Sequence, residues 1–141
     1  MTESLPVLRQ TVLDTTDARA LAEFYRQLLG LHYRPGHEPP APGEDDEAGR
    51  DWLVLRNSNG PQLAFQQVDR LPRSTWPDDG VPQQLHLDMT VPSVAELDVQ
   101  HQRVLRLGGK LLRDAADNPE EPIRVYADPD GHPFCVFVWV P

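Results

Sequence analysis

The sequence predicts an α+β fold built from two βαβββ modules, in which curved antiparallel sheets carry their helices on the outside. Three observations predict it. The order strand, helix, three strands runs twice along the chain. The two copies keep a constant spacing: Gln10 and His86 stand 76 positions apart, and so do Asp17 and Ser93. Each helical pattern also ends on glycine, at Gly30 and at Gly108-Gly109, where a left-handed residue can close a helix.

The first module occupies about residues 1–70. "VLRQTVLDTT" reads as its opening strand. In the segment after it, Leu21, Phe24, Leu28 and Leu31 recur at helical spacing, with Thr16 or Asp17 as the cap. "HYRPGHEPPAPGEDDEAGRD" begins as a short strand and continues as a Pro/Gly-rich loop. "WLVLRNSNGPQLAFQQV" then reads as two strands around an Asn-Ser-Asn-Gly turn.

"DRLPRSTWPDDGVPQ" reads as a linker, and the second module follows at about residues 83–141. "QLHLDMTV" is its first strand. Its helix is well punctuated, with Pro92, a capping box of Ser93 and Glu96, and an apolar face of Val94, Leu97, Val104 and Leu105. "KLLRDA", "IRVYAD" and "PFCVFVWV" are its remaining strands, and an Asp-Pro-Asp-Gly turn joins the last two.

Composition narrows the function. A net charge of -9 disfavours nucleic acid and anionic membrane surfaces as partners. No apolar run reaches membrane-spanning length, and the N-terminus lacks the pattern of a secretory signal. The single cysteine, Cys135, cannot form an intrachain disulfide. A cytoplasmic location is the expectation. The concave side of such sheets is a natural small-molecule cavity.

"FYRQLLGL", "LRLGGKLL" and "DPDGHPFCVF" resemble the vicinal oxygen chelate superfamily, and within it the glyoxalase-like domains. That group includes glyoxalase I, extradiol dioxygenases, fosfomycin-resistance enzymes and bleomycin-binding proteins. The resemblance covers essentially the whole chain. It implies the two-module fold, a homodimer, and metal ligands on the first and fourth strands of each module. Carried over, those positions match Gln10, Gln66, His86 and Cys135.

That set is poor for a hard divalent cation, because neither amide brings charge and one imidazole is a weak anchor. Zinc accepts His and thiolate but normally takes three strong protein ligands in catalytic sites. The expectation is no cofactor, with a divalent metal admitted through a depleted ligand set. Cys135, flanked by Phe134, Val136, Phe137 and Val138, reads as a packing residue that contributes to a ligand cavity.

Period-two alternation puts His86 and Asp88 on one strand face, where a carboxylate can orient the imidazole as a general base. These two are the candidate catalytic residues. Asp14 shares a face with Gln10 but reads as a turn or cap residue. Gln10 and Gln66 are candidate substrate-orienting amides. Trp52, Phe65 and Tyr126 are candidate cavity walls, with Trp76 in the same aromatic group. His32, His37 and His101 read as exposed, Arg124 as an exposed sheet residue, His132 as a turn residue and "GEDDE" as a solvated loop.

Two functions follow. One is a glyoxalase-like protein that binds a small molecule and carries out a lyase, isomerase or dioxygenase-type step at His86. The other is a metal-free protein that sequesters a small molecule or antibiotic without catalysis.

Overall fold

The computed structural model describes residues 4–141 and divides into two compact units, one ending at Arg70 and the other starting at Leu71. In the first unit, β1 is Gln10–Thr15, α1 Ala18–Leu29, β2 His32–Tyr33, β3 Trp52–Arg56 and β4 Gln62–Gln67. A single 3-10 turn covers Ala48–Arg50. In the second unit, β5 is Leu87–Val91, α2 Val94–Leu107, β6 Lys110–Ala115, β7 Ile123–Ala127 and β8 Pro133–Val138. The expected βαβββ order therefore holds in both.

The sheets are four-stranded, in the orders β1-β4-β3-β2 and β5-β8-β7-β6. They are mixed and not wholly antiparallel. The first strand of each unit pairs in parallel with the last, Leu13 opposite Phe65 and Asp88 opposite Cys135. A parallel neighbour needs a crossover, and the helix with two further strands supplies it.

Asp17 caps α1 by accepting from Ala20 N–H, and Gly30 ends it in the left-handed conformation at φ 65°. Thr16 is not the cap. Gln67 adds a tie that sequence reading missed. Its amide accepts from Ala18 N–H and donates to Thr16 C=O, pinning the end of β4 to the start of α1. Leu21, Phe24 and Leu28 are buried as expected, with Tyr25 added. Tyr25 stacks on Phe65 at 5.9 Å between ring centroids, so the Leu13, Leu53 and Phe65 row faces the helix.

Ser93 caps α2 by accepting from Glu96 N–H. Only Leu97 and Val104 of its predicted apolar face are buried, while Val94 and Leu105 are exposed. The missing burial is partly made up by polar anchoring. Tyr126 bonds His101 of α2, and Arg124 donates to Leu97 C=O and to Asp98 and Asp114. Arg124 is buried, contrary to expectation, because two carboxylates and a carbonyl meet its guanidinium.

The Asp-Pro-Asp-Gly turn owes its shape to Asp128. This buried carboxylate accepts from the N–H groups of Asp130 and His132, while Gly131 adopts φ 92°. Among the described residues, no helix is long and apolar enough to cross a membrane.

Candidate functional site

Each sheet has one face on its helix and one turned away. In the second unit, Tyr126, Phe134 and Val136 lie on the helix side. Cys135 pairs with Val125 and Asp88 on the other. Asp88 is on β5, and His86 lies two positions before it, just ahead of the strand. All three side chains therefore reach the same face.

The predicted convergence of His86 and Asp88 is present, with Nε2 3.2 Å from Oδ1. Cys135 joins them. One donor atom from each of the three residues lies within 4.8 Å of the others. The side chains of His86 and Asp88 are 40% and 55% exposed, whereas Cys135 is 8% exposed. Burial pushes the Cys135 thiol up to about 11, and the Asp88 charge and hydrogen bond add to the shift. The group is thus a protonated thiol and an imidazole, both directed at one carboxylate.

The donor chemistry fits a borderline or soft divalent ion. Nitrogen, carboxylate oxygen and sulfur suit zinc and its neighbours, not magnesium. Ligand atoms around a tetrahedral zinc sit roughly 3.3–3.8 Å apart, so small side-chain rotations close the group around an ion. His86, Asp88 and Cys135 would hold it. Such an ion supplies Lewis-acid polarisation of a bound oxygen.

The first unit offers less. Val12 stands 76 positions before Asp88 and pairs with Ala64, as Asp88 pairs with Cys135. Ala64 is therefore the counterpart of Cys135. Gln66 is not, since it pairs with Asp14 two residues further along the strands. The expected set of Gln10, Gln66, His86 and Cys135 was out of register at Gln66. Gln10 keeps its first-strand place, and its Oε1 is buried without a hydrogen-bond partner among the described residues. A bound N–H or O–H group would satisfy it.

The aromatic candidates divide. Phe65 and Tyr126 are fully buried on the helix sides of their sheets and cannot line a cavity on the opposite faces. Trp52, half-buried and opposite Gln66, lies on the face away from α1. It borders a cleft of about 610 Å³ together with His37, Asp46 and Asp51. Trp76 lies in the segment between β4 and β5, where its backbone N–H donates to Ser74 Oγ.

His37, His101 and Asp46 of the acidic run differ from expectation. His37 is half-buried and its Nδ1 accepts from Val54 N–H at 2.9 Å. Burial then lowers its pKa. His101 is half-buried against Tyr126, whereas His32 is exposed as expected. Asp46 of "GEDDE" forms a two-pronged pair with Arg19, which also donates to His37 C=O. Asp45 pairs with Arg50. The run is an anchored loop, and the spacing of its charges gave no sign of partners so far away in sequence.

A glyoxalase-like domain model matches residues 10–137. None of the curated proteins matches the chain significantly. Among solved structures, a glyoxalase-related enzyme from Fulvimarina pelagi is similar at 23% identity and TM-score 0.66, covering 96% of this chain and 89% of that one. A glyoxalase/bleomycin resistance protein/dioxygenase family enzyme from Burkholderia phytofirmans has TM-score 0.67 at 14% identity, covering 94% and 98%. The fosfomycin resistance protein FosX from Mesorhizobium loti has TM-score 0.64 at 14% identity, covering 99% and 95%. With the domain model spanning both modules, the chain belongs to the glyoxalase-like domain family of the vicinal oxygen chelate superfamily.

Proposed function

We propose that this protein binds a small, oxygen-rich molecule and acts on it by a lyase, isomerase or related proton-transfer step centred on His86. The observation that carries this reading is the 3.2 Å contact between His86 Nε2 and Asp88 Oδ1 on an accessible sheet face. A carboxylate there favours the proton on Nε2 and leaves the Nδ1 lone pair to accept one from a substrate. Asp88 then stabilises the imidazolium that forms. A homodimer belongs to the same reading, because both sheets are open and pairing would cover strand edges.

A panel of thiol adducts of α-oxo aldehydes, catechols and phosphonates tests the reading in D2O, with the His86 ring protons followed by NMR. A productive ligand shifts those resonances and exchanges an acidic C–H for deuterium, and His86→Ala abolishes the exchange. Ligands that bind His86→Ala as tightly, with undiminished exchange, would overturn the proposal.

Sequestration without catalysis is the second reading. It is favoured by the first unit, where Gln10 and Ala64 supply no titratable group at the two positions that match His86 and Cys135. Tight binding with no exchange, unaffected by His86→Ala, selects it.

A further inference from the structure

We propose that the first module carries a ligand site of its own, a cleft at one end of its sheet that takes the phosphoryl group of a small molecule between Arg9 and Arg56. The cleft holds about 640 Å³ and lies wholly within the first unit, so it does not rest on the reading of His86. Topology gathers its residues. β1 runs parallel to β4, β3 runs antiparallel to β4, and β2 runs antiparallel to β3. The position just before β1, the start of β4, the end of β3 and the start of β2 therefore share one end of the sheet. Those positions are Arg9, Gln62, Arg56 and His32, and all four line the cleft. Gln62 is on the strand between the two arginines and donates its backbone N–H to Arg9 C=O at 3.3 Å. Two strand spacings, roughly 10 Å, separate the arginine backbones, a gap that two long side chains can close around one oxyanion.

The charge at this end is of one sign. Residues 5–13, 29–34 and 55–62, which build it, contain no Asp or Glu, in a chain of net charge -9. Asp45, Asp46 and Asp51 line the other cleft of the unit, beside Trp52 where β3 begins. Arg19, Arg26 and Arg50 each hold a carboxylate. The side chains of Arg9 and Arg56 hold none among the described residues. Two permanent charges without a counter-ion match a phosphoryl dianion, and guanidinium forks bind its oxygens in pairs.

Neutral donors surround the two charges. Asn57 is engaged in the turn between β3 and β4, where its Oδ1 accepts from Asn59 N–H at 3.0 Å and its Nδ2 donates to Pro61 C=O at 3.4 Å. The exposed Ser58 hydroxyl and Asn59 amide remain to donate to a ligand oxygen. His32, opposite Arg56 in the β2–β3 pairing, adds an imidazole N–H. The remaining wall, Leu29 to Leu31, includes the C-terminal end of α1. Its dipole opposes an anion with roughly half a charge, which two full guanidinium charges outweigh.

The test is titration of the full chain with inorganic phosphate at constant ionic strength, followed by backbone amide NMR, with acetate as the competing oxyanion. Saturable shifts centred on Asn57, Ser58, Asn59 and Gln62 are expected, with acetate binding at least about tenfold more weakly than phosphate. Arg9→Gln and Arg56→Gln should each weaken phosphate binding about tenfold or more, the usual worth of a hydrogen bond to a charged group. Arg34→Gln removes the same charge outside the cleft and should bind as the parent does. Both cleft arginines are exposed, so their loss is mild for the fold, and the amide spectrum of each variant checks it. Shifts that do not saturate, equal affinity for acetate, or equal weakening in Arg34→Gln would overturn the site. None of these results bears on proton exchange at His86, which is followed in separate resonances.

Discussion

The Tyr126 hydroxyl lies 2.8 Å from His101 Nδ1, and this bond ties β7 to α2. It places Tyr126 on the helix side of its sheet, stacked 5.4 Å from Phe134 between ring centroids. Tyr126→Phe should therefore cost about 1 kcal/mol of stability, the usual worth of one such bond, and leave ligand affinity unchanged. Chemical denaturation and ligand titration of the same variant check both halves. Weakened binding at unchanged stability would return Tyr126 to the cavity wall.

Asp128 should be the most sensitive residue of the final turn. Its buried carboxylate holds two backbone N–H groups, those of Asp130 and His132. Asp128→Ala removes the Oδ1 acceptor shared by both N–H groups from a site with little access to water, and should destabilise by about 1–3 kcal/mol. Asp128→Asn keeps an oxygen acceptor and should recover part of the loss. Equal stability of the two variants by urea denaturation would refute this account of the turn.

Acid should unfold the protein through paired carboxylates. The Arg19 pair holds Asp46 below its ordinary 3.8, and the Arg26 pair holds Glu23 below its ordinary 4.5. Asp114 is also lowered, first by Ala116 N–H and then by Arg124. A depressed carboxylate stabilises the folded state above its unfolded pKa. That contribution fades as pH falls through the folded value. Stability should be flat in these groups above about pH 5 and decline below about pH 4. Arg19→Gln should flatten the decline, which thermal melts at closely spaced pH values can measure.

The repeated order of elements was legible because caps and apolar spacing are local signals. Asp17 and Ser93 each sit at the residue where the chain turns helical, and each accepts a bond from three residues on. Strand register was less legible. A slip of two residues keeps every side chain on its face, so the pattern in "LAFQQV" could not separate Ala64 from Gln66 as the partner of Val12. The faces themselves were readable, since Leu63 and Phe65 alternate with Gln62 and Gln66 and mark the helix side. Treating Phe65 as a cavity residue overlooked that alternation. Arg19 with Asp46 and His101 with Tyr126 lie 27 and 25 residues apart, and nothing local announces such pairs.

Cys135 gives the sharpest chemical prediction. Its thiol is pushed up to about 11, largely by burial and further by Asp88. Without metal, its alkylation by iodoacetamide at pH 8 should be roughly two orders of magnitude slower than that of an ordinary thiol. Asp88→Asn removes a negative charge beside the sulfur, lowers the thiol pKa and should speed the reaction. The same shift has a consequence for stability. The folded state favours the protonated thiol relative to the ordinary value of 9.0, so its contribution is complete below pH 9 and declines as pH climbs toward 11. Cys135→Ser should lack that alkaline decline. Mass spectrometry of alkylated protein across pH 7–11, with chelator present, measures the shift directly. A rate profile with an ordinary thiol pKa would mean that neither burial nor Asp88 governs this sulfur.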